Sequence, residues 1–422
     1  EDLWVNEGLS EYAQVVAEFA AGAGFAGAFA ADPDVQLTTW AANGSNRPHY
    51  GSAYLFMVYL AQRFGREAIV NLVADPANGL QSITDALASV GADMDAEQLF
   101  ADWVIANYAN QPAPLDQGGR FGYPELAGLP FTPAARYAEY PVPTQAATVA
   151  NFAADYIELG GEGDVLFTFQ GAAETRLADA PLAAGERAWW SNRTDNADAQ
   201  LLARYDLSAF PPQTPLTLTA SMWWDIESDY DFGYVMAGTD GEHWRILPGG
   251  HTAAANPSGN ALGPGYTGRS GDNPDGAPQW VDESFDLSAF AGGPLWLAFR
   301  YITDDGVNTA GWLVDNVRLT GPAGAIEPVM DQPSGGEGAG WQSSGWLLTD
   351  NRLPQRWLLQ VLEFDGNALT AVRHVPVDAQ GRAEAEIRGL GNGRRAVVAV
   401  SGLAPATTLP AQSQYAVDLL AK

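Results

Sequence analysis

Leu295-Trp-Leu-Ala-Phe-Arg-Tyr301 sets Leu, Leu, Phe and Tyr at every second position, the period of a strand with one face in a core. The same period runs through Tyr156-Ile-Glu-Leu159, Leu166-Phe-Thr-Phe169, Leu216-Thr-Leu-Thr-Ala220 and Trp312-Leu-Val-Asp-Asn-Val317, with Gly, Pro, Asp and Asn turns between them. Short strands that follow one another without intervening helices predict an antiparallel, jelly-roll-like β-sandwich, placed here at residues 146–322. Within it, Gly249 to Pro278 is rich in Gly, Asn and Pro and too long for a hairpin loop, so it reads as a functional or metal-ordered excursion.

Outward from that block, a Gly-rich linker at 323–340 leads to a second β-patterned stretch. Trp357 to Leu362, Ala371 to Val377, Ala383 to Ile387, Ala396 to Val400 and Tyr415 to Leu420 suffice for a smaller C-terminal sandwich at 341–422. On the other side, 112–145 has prolines and aromatics without a sustained period and reads as an extended linker. Residues 1–111 carry three- and four-residue apolar spacing instead and read as all-helical. One stripe is Leu9, Tyr12, Val16 and Phe19; another is Tyr54, Leu55, Val58 and Ala61, ending at Gly65. Asp95 with Gln98 three residues on resembles a capping box opening a helix from Ala96 to Tyr108. The fold class expected is therefore multidomain α + β.

Charge narrows the function. Acidic residues number 51 against 21 basic, a formal −30, which opposes phosphate backbones and excludes nucleic acid as a natural partner. Excess carboxylate suits an extracellular, soluble surface or bound divalent cations. No cysteine is present, so no disulfide holds the fold, and no apolar run reaches the ~20 residues of a membrane span.

Glu7 and Glu11, four apart, share one face of a helix. Such a pair is ordinarily a solvated face; in a metal site one carboxylate coordinates and the other orients a ligand. The four histidines, His49, His243, His251 and His374, include no two spaced to grip a metal from one helical face. Asp195, Asp225, Glu227 and Asp315 lie near strand ends as calcium candidates, because Ca²⁺ takes about 6–8 oxygen ligands. Asp229 and Asp231 read instead as turn residues. Among the 14 tryptophans, the adjacent pairs Trp189-Trp190 and Trp223-Trp224 put one indole inward and one outward on a strand, so core packing and a glycan platform both stand as readings.

Trp4-Val-Asn-Glu-Gly-Leu-Ser-Glu-Tyr12 resembles, over nine positions, the third-ligand motif of gluzincin peptidases. The resemblance implies that Glu7 is a zinc ligand and Glu11 the carboxylate behind the ligand shell. His49-Tyr-Gly-Ser-Ala-Tyr-Leu-Phe56 resembles the helix behind such a site, so His49 or Tyr50 becomes a candidate oxyanion stabiliser, against the plain reading of a loop histidine and core aromatics. Further on, Trp189 to Asn196, Met222 to Val235, Gly265 to Gly271, Phe285 to Ala291, Phe299 to Asp304 and Gly311 to Val317 together resemble the β-sandwich of immune inhibitor A-type secreted bacterial metallopeptidases. That family implies zinc, calcium in the fold, protein substrates and an extracellular place. It also implies a His-Glu-x-x-His helix, which this sequence lacks, so the chain is expected to be a C-terminal portion whose zinc needs two imidazoles from elsewhere and which alone is inactive. Its partners would be a protein substrate in the intact parent, the N-terminal catalytic segment, or copies of itself. The rival readings are a non-catalytic extracellular structural or adhesive protein, such as a surface-layer or filament component, and a carbohydrate-binding protein on the same architecture.

Overall fold

A computed structural model describes residues 2–19, 23–41, 44–111, 119–123, 126, 128–272, 276–329, 338 and 340–420. It divides into two compact units, one of residues 1–175 with 353–422 and one of residues 176–352.

The first unit begins with five helices: α1 (Leu3–Val16), α2 (Ala23–Ala31), α3 (Arg47–Ala74), α4 (Gly79–Ser89) and α5 (Ala96–Ala109). α3 kinks at Gly65, whose φ of 81° only glycine adopts freely, so the apolar stripe ending there continues on a new heading. α5 opens on the expected capping box, with Asp95 accepting from the Gln98 backbone and Gln98 reaching back to the Asp95 backbone. The stripe read on α1 does not face the core. Trp4, Val5, Gly8 and Glu11 are its buried residues, whereas Leu9 and Tyr12 are half-buried and Val16 is exposed, so the stripe borders an open apolar groove with Ile69, Val70 and Val73 of α3.

The same unit closes with two sheets. One orders Ala135–Tyr137, Asp155–Leu159, Arg394–Gly402, Trp357–Asp365 and Ala368–Val375; the other orders Val142–Val149, Ala411–Leu419, Gly163–Gly171 and Arg382–Leu390. Ile157, Val361 and Val398 from the first meet Phe167, Ile387 and Val417 from the second in one core. The opposite face of the first sheet carries the helices: the Tyr156 hydroxyl donates to the Val104 carbonyl at 2.8 Å and the Gln360 amide to the Ala101 carbonyl at 3.0 Å. Strand Asp155–Leu159 is therefore covered on both sides, which its largely apolar sequence allows.

A buried ion cluster ties the helical layer. Asp102 on α5 receives Arg63 at 2.9 Å and Arg120 at 2.7 Å, with its own carboxylate almost wholly sealed from water. Removing Asp102 strands the largely buried Arg63, at about 3 kcal/mol, whereas the exposed Arg120 turns to water. Asp102→Ala is expected to lower the denaturation free energy by that amount, and a loss under 1 kcal/mol in urea titration would show that water already screens the pair.

The second unit is a sandwich of its own. One sheet orders Arg245–Ile246, Phe232–Gly238, Pro294–Ile302, Asp198–Asp206 and Trp341–Ser344; the other orders Val281–Asp286, Thr217–Asp225, Gly311–Gly321, Ala188–Trp190 and Leu347–Thr349. Leu201, Leu297 and Phe299 pack against Leu218, Trp224, Trp312 and Val314 between them.

Both expected sandwiches exist, but the boundaries at 146–322 and 341–422 move. Residues 142–171 pair with 382–419, so they belong to the C-terminal sandwich, and part of the expected 112–145 linker is strand. Trp341–Ser344 and Leu347–Thr349 pair with Asp198–Asp206 and Ala188–Trp190, so they belong to the middle one. The cause is non-local pairing: one sandwich is inserted between the strands of the other. Part of the 323–340 linker is strand as well, since Gly324–Ile326 pairs with Gly311–Gly321, and residues 330–337 and 339 lie outside the described residues.

Candidate metal centre

Register alone brings three loops of the 176–352 sandwich to one end. Ile302 pairs with Phe232 on one side and with Asp198 on the other, so the residues just past these strand ends, 303–304, 226–231 and 191–197, converge. Two of these loops turn through left-handed positions that Asn and Asp tolerate: Asn192 (φ 66°) and Asn196 (φ 53°) in one, Asp229 (φ 70°) in the other.

Carboxylate oxygens of Glu227, Asp231 and Asp304 lie within 4.8 Å of one another. Asp231 is sealed in the interior, accepting from the Asp304 amide at 2.9 Å and facing the Tyr301 hydroxyl at 3.4 Å. Asp195 adds its field to Glu227 and Asp231, and accepts from the Asn308 side-chain amide at 2.7 Å. Burial, then neighbouring carboxylates, pushes Glu227 up to about 7; burial, with the same repulsion, pushes Asp231 up to about 8. No basic residue is among the causes of either shift. The Asn308 side-chain oxygen Oδ1, buried beside Asp195, has no hydrogen-bond partner among the described residues. Hard, crowded oxygen donors of this kind fit Ca²⁺ rather than a soft-ligand metal.

The structure thus gathers Glu227 and Asp195 of the four calcium candidates and leaves two aside. Asp225 points to Arg269, at 3.3 Å. Asp315 accepts from the Asn316 amide at 2.7 Å and is absent from the cluster. Asp231, expected to serve a turn, is instead the buried member, and Asp304, which in the sequence only closes the Phe299 to Asp304 block, joins it. The excursion at 249–278 reaches this end: the Asn260 amide donates to Asp304 at 3.3 Å and to the Tyr230 carbonyl at 3.3 Å. The expectation for the paired tryptophans holds for Trp189 and Trp190 but not for Trp223, which is buried like Trp224 and donates to the Pro278 carbonyl.

A second constellation lies in the other unit, where α1 crosses α3. Gly8 makes the crossing close: a Cβ there would stand 2.8 Å from the Ala53 carbonyl oxygen and 2.9 Å from Met57. Glu7 and Glu11 flank that contact. Burial, then Glu11, raises the Glu7 carboxyl, and Glu11 accepts from Gln14 at 3.1 Å. The Tyr50 hydroxyl is raised by burial and then by the charges of both glutamates, and its ring is braced by Phe25 (5.2 Å, stacked) and Trp40 (4.9 Å, edge-on). His49 is turned elsewhere. It is buried against Trp40 and the 32–39 segment, and burial lowers its pKa. One carboxylate and no imidazole cannot complete a zinc shell of three or four ligands, so these residues fit part of one.

Gly8→Ala gains about 1 kcal/mol of helix propensity but sets a methyl against backbone, costing about 1–3 kcal/mol. A net loss of about 1 kcal/mol is expected in denaturant titration; a gain would mean that the helices can part freely.

Residues 171–326 match a family described as Immune inhibitor A-like, MAM domain. This chain contains an immune inhibitor A-like MAM domain. Relatives match about a third of the chain: Pre-pro-metalloprotease PrtV of Vibrio cholerae is 35% identical over 137 residues, 32% of this chain and 13% of that protein. Immune inhibitor A of Bacillus thuringiensis subsp. alesti is 34% identical over 138 residues, 32% of this chain and 18% of that protein. Bacillopeptidase F of Bacillus subtilis is 28% identical over 143 residues, 33% of this chain and 8% of that protein. Each match covers under a fifth of the relative, and Glu227, Asp231 and Asp304 lie within the residues that match the family. Among the described residues, no helix is long and apolar enough to cross a membrane.

Proposed function

We propose that this chain is the C-terminal portion of a secreted zinc metalloendopeptidase of the immune inhibitor A type, with a calcium-binding MAM domain. The observation that carries the reading is the close α1–α3 crossing at Gly8, where Glu7 and Glu11 flank the contact and both charges act on the Tyr50 hydroxyl of α3. In that role Glu7 is a metal ligand, Glu11 orients the shell from behind, and Tyr50 is the oxyanion donor in place of His49. Zinc, when bound, supplies Lewis-acid polarisation and an activated water. The residues on this chain hold and align; the histidines come from polypeptide outside it. The relatives' names as metalloprotease and immune inhibitor support the same reading. Glu227, Asp231, Asp304 and Asp195 would hold Ca²⁺ and fix three loops at one end of the MAM domain.

The test is proteolysis of casein by the chain expressed with its upstream coding sequence, before and after 1,10-phenanthroline. Chelator-sensitive cleavage is expected. Cleavage indifferent to chelation, or none from a folded, zinc-loaded protein, would sink the peptidase reading.

A further inference from the structure

At the edge of the MAM domain sandwich, away from the carboxylate cluster, a cleft of about 390 Å³ is bordered by Trp189, Trp341, Asp315, Asn316, Arg187 and Gly338. Two strands on different sheets supply the aromatic walls, since Trp189 lies in Ala188–Trp190 and Trp341 in Trp341–Ser344. Both indoles are half-buried, with one part in the core and the rest facing the cleft. Trp341 is braced by Phe299 at 5.9 Å, and Gly338 lies so close over Trp189 that a Cβ would stand 2.8 Å from its ring.

The polar wall comes from a bulge. Strand Gly311–Gly321 loses register with Thr217–Asp225 between Asp315 and Arg318, and Asn316 takes a left-handed φ of 52°. That turn sets the Asn316 amide 3.4 Å from the second oxygen of Asp315 while its backbone donates to the first. Acceptor and donor therefore stand side by side on one surface. Burial raises the Asp315 carboxyl, so this carboxylate is partly desolvated.

Rigid aromatic faces suit the C–H faces of a pyranose ring, and an adjacent carboxylate and amide suit vicinal hydroxyls, one accepting and one donating. The acid is matched by a base, Arg187, which gives the cleft no single sign and disfavours a charged ligand. We propose that this cleft is a saccharide subsite that takes a neutral pyranose unit of an oligosaccharide, separate from both candidate metal sites.

Intrinsic tryptophan fluorescence and calorimetry of the whole 422-residue chain, titrated with chitotetraose, cellotetraose, maltotetraose and mannotetraose, test it. At least one is expected to bind with a Kd of about 1 mM or tighter. Trp341→Ala and the surface double variant Asp315→Ala/Asn316→Ala should each weaken binding by about tenfold or more, while a variant of the exposed Glu242, Glu242→Gln, leaves it unchanged. Circular dichroism of the double variant separates lost binding from lost fold. No binding by any of the four at about 10 mM, or binding that survives in the folded double variant, overturns the proposal.

Discussion

Calcium added to the metal-free chain at pH 8 should raise the melting temperature of the MAM domain by roughly 5–10 °C. Ligand at about a hundred times its Kd stabilises by about 2.7 kcal/mol, and each kcal/mol moves a domain of this size by about 2–4 °C. The sign of the pH dependence follows from the carboxylates. Glu227 at about 7 and Asp231 at about 8 both titrate higher in the folded chain than the ordinary values of 4.5 and 3.8. The metal-free folded state therefore binds more protons than the unfolded one between about pH 4 and pH 8, and its stability falls as pH rises through that window. Calcium displaces those protons, so its stabilising effect should be small at pH 5 and full at pH 8. Asp231→Asn removes the buried charge while keeping an acceptor for the Asp304 amide. This variant should be more stable than the parent without calcium at pH 8 and should lose the calcium shift. Differential scanning calorimetry at the two pH values reads all of this. A melting temperature indifferent to calcium at pH 8, or an Asp231→Asn variant that melts lower without metal, would remove the cation from the cluster.

The failure to read Asp231 from sequence has a physical source. Asp225-Ile-Glu-Ser-Asp-Tyr-Asp231 is good turn chemistry, and a turn aspartate and a ligand aspartate have the same local signature. What separates them is the register of Phe232 against Ile302, which carries Asp231 inward beside Asp304; no window of sequence contains both strands. Period-two alternation was enough for the strands themselves, as in Leu295 to Tyr301, because inward and outward positions are fixed by the pleat. Domain limits needed more. Val142–Val149 finds its partner at Ala411–Leu419, across the whole inserted sandwich, and composition carries no trace of that distance. On the helical side, Leu9, Tyr12 and Val16 made a correct helix with an incorrect inner face. Trp4, Val5 and Gly8 pack instead because the glycine permits the α3 backbone to approach, a steric fact that hydropathy does not encode. Nothing periodic marks α2 either, since Ala-Gly-Phe-Ala-Gly-Ala-Phe-Ala-Ala has no polar face.

On the proposed peptidase reading, Glu7→Gln in the chain expressed with its upstream coding sequence should lower kcat/KM by about a thousandfold or more, together with zinc retention. Gln keeps the length and shape of Glu7 but not its charge, and a neutral amide is a poor ligand for a cation that a carboxylate and two imidazoles would share. Two neighbours give graded controls. Glu11→Gln should weaken metal affinity by about 10–100-fold, because a residue behind the ligands orients rather than binds. Tyr50→Phe should keep its zinc and lose about 10²–10³ in kcat, as expected for a donor used only on developing charge. His49→Ala should leave kcat within a few-fold, since its ring is buried against the 32–39 segment and neither Glu7 nor Glu11 acts on it. Zinc content by atomic absorption, set beside casein turnover, separates these outcomes. Full zinc in Glu7→Gln would show that the carboxylate at the α1–α3 crossing is no ligand, and equal losses from Tyr50→Phe and His49→Ala would show that the crossing orders the fold rather than the chemistry.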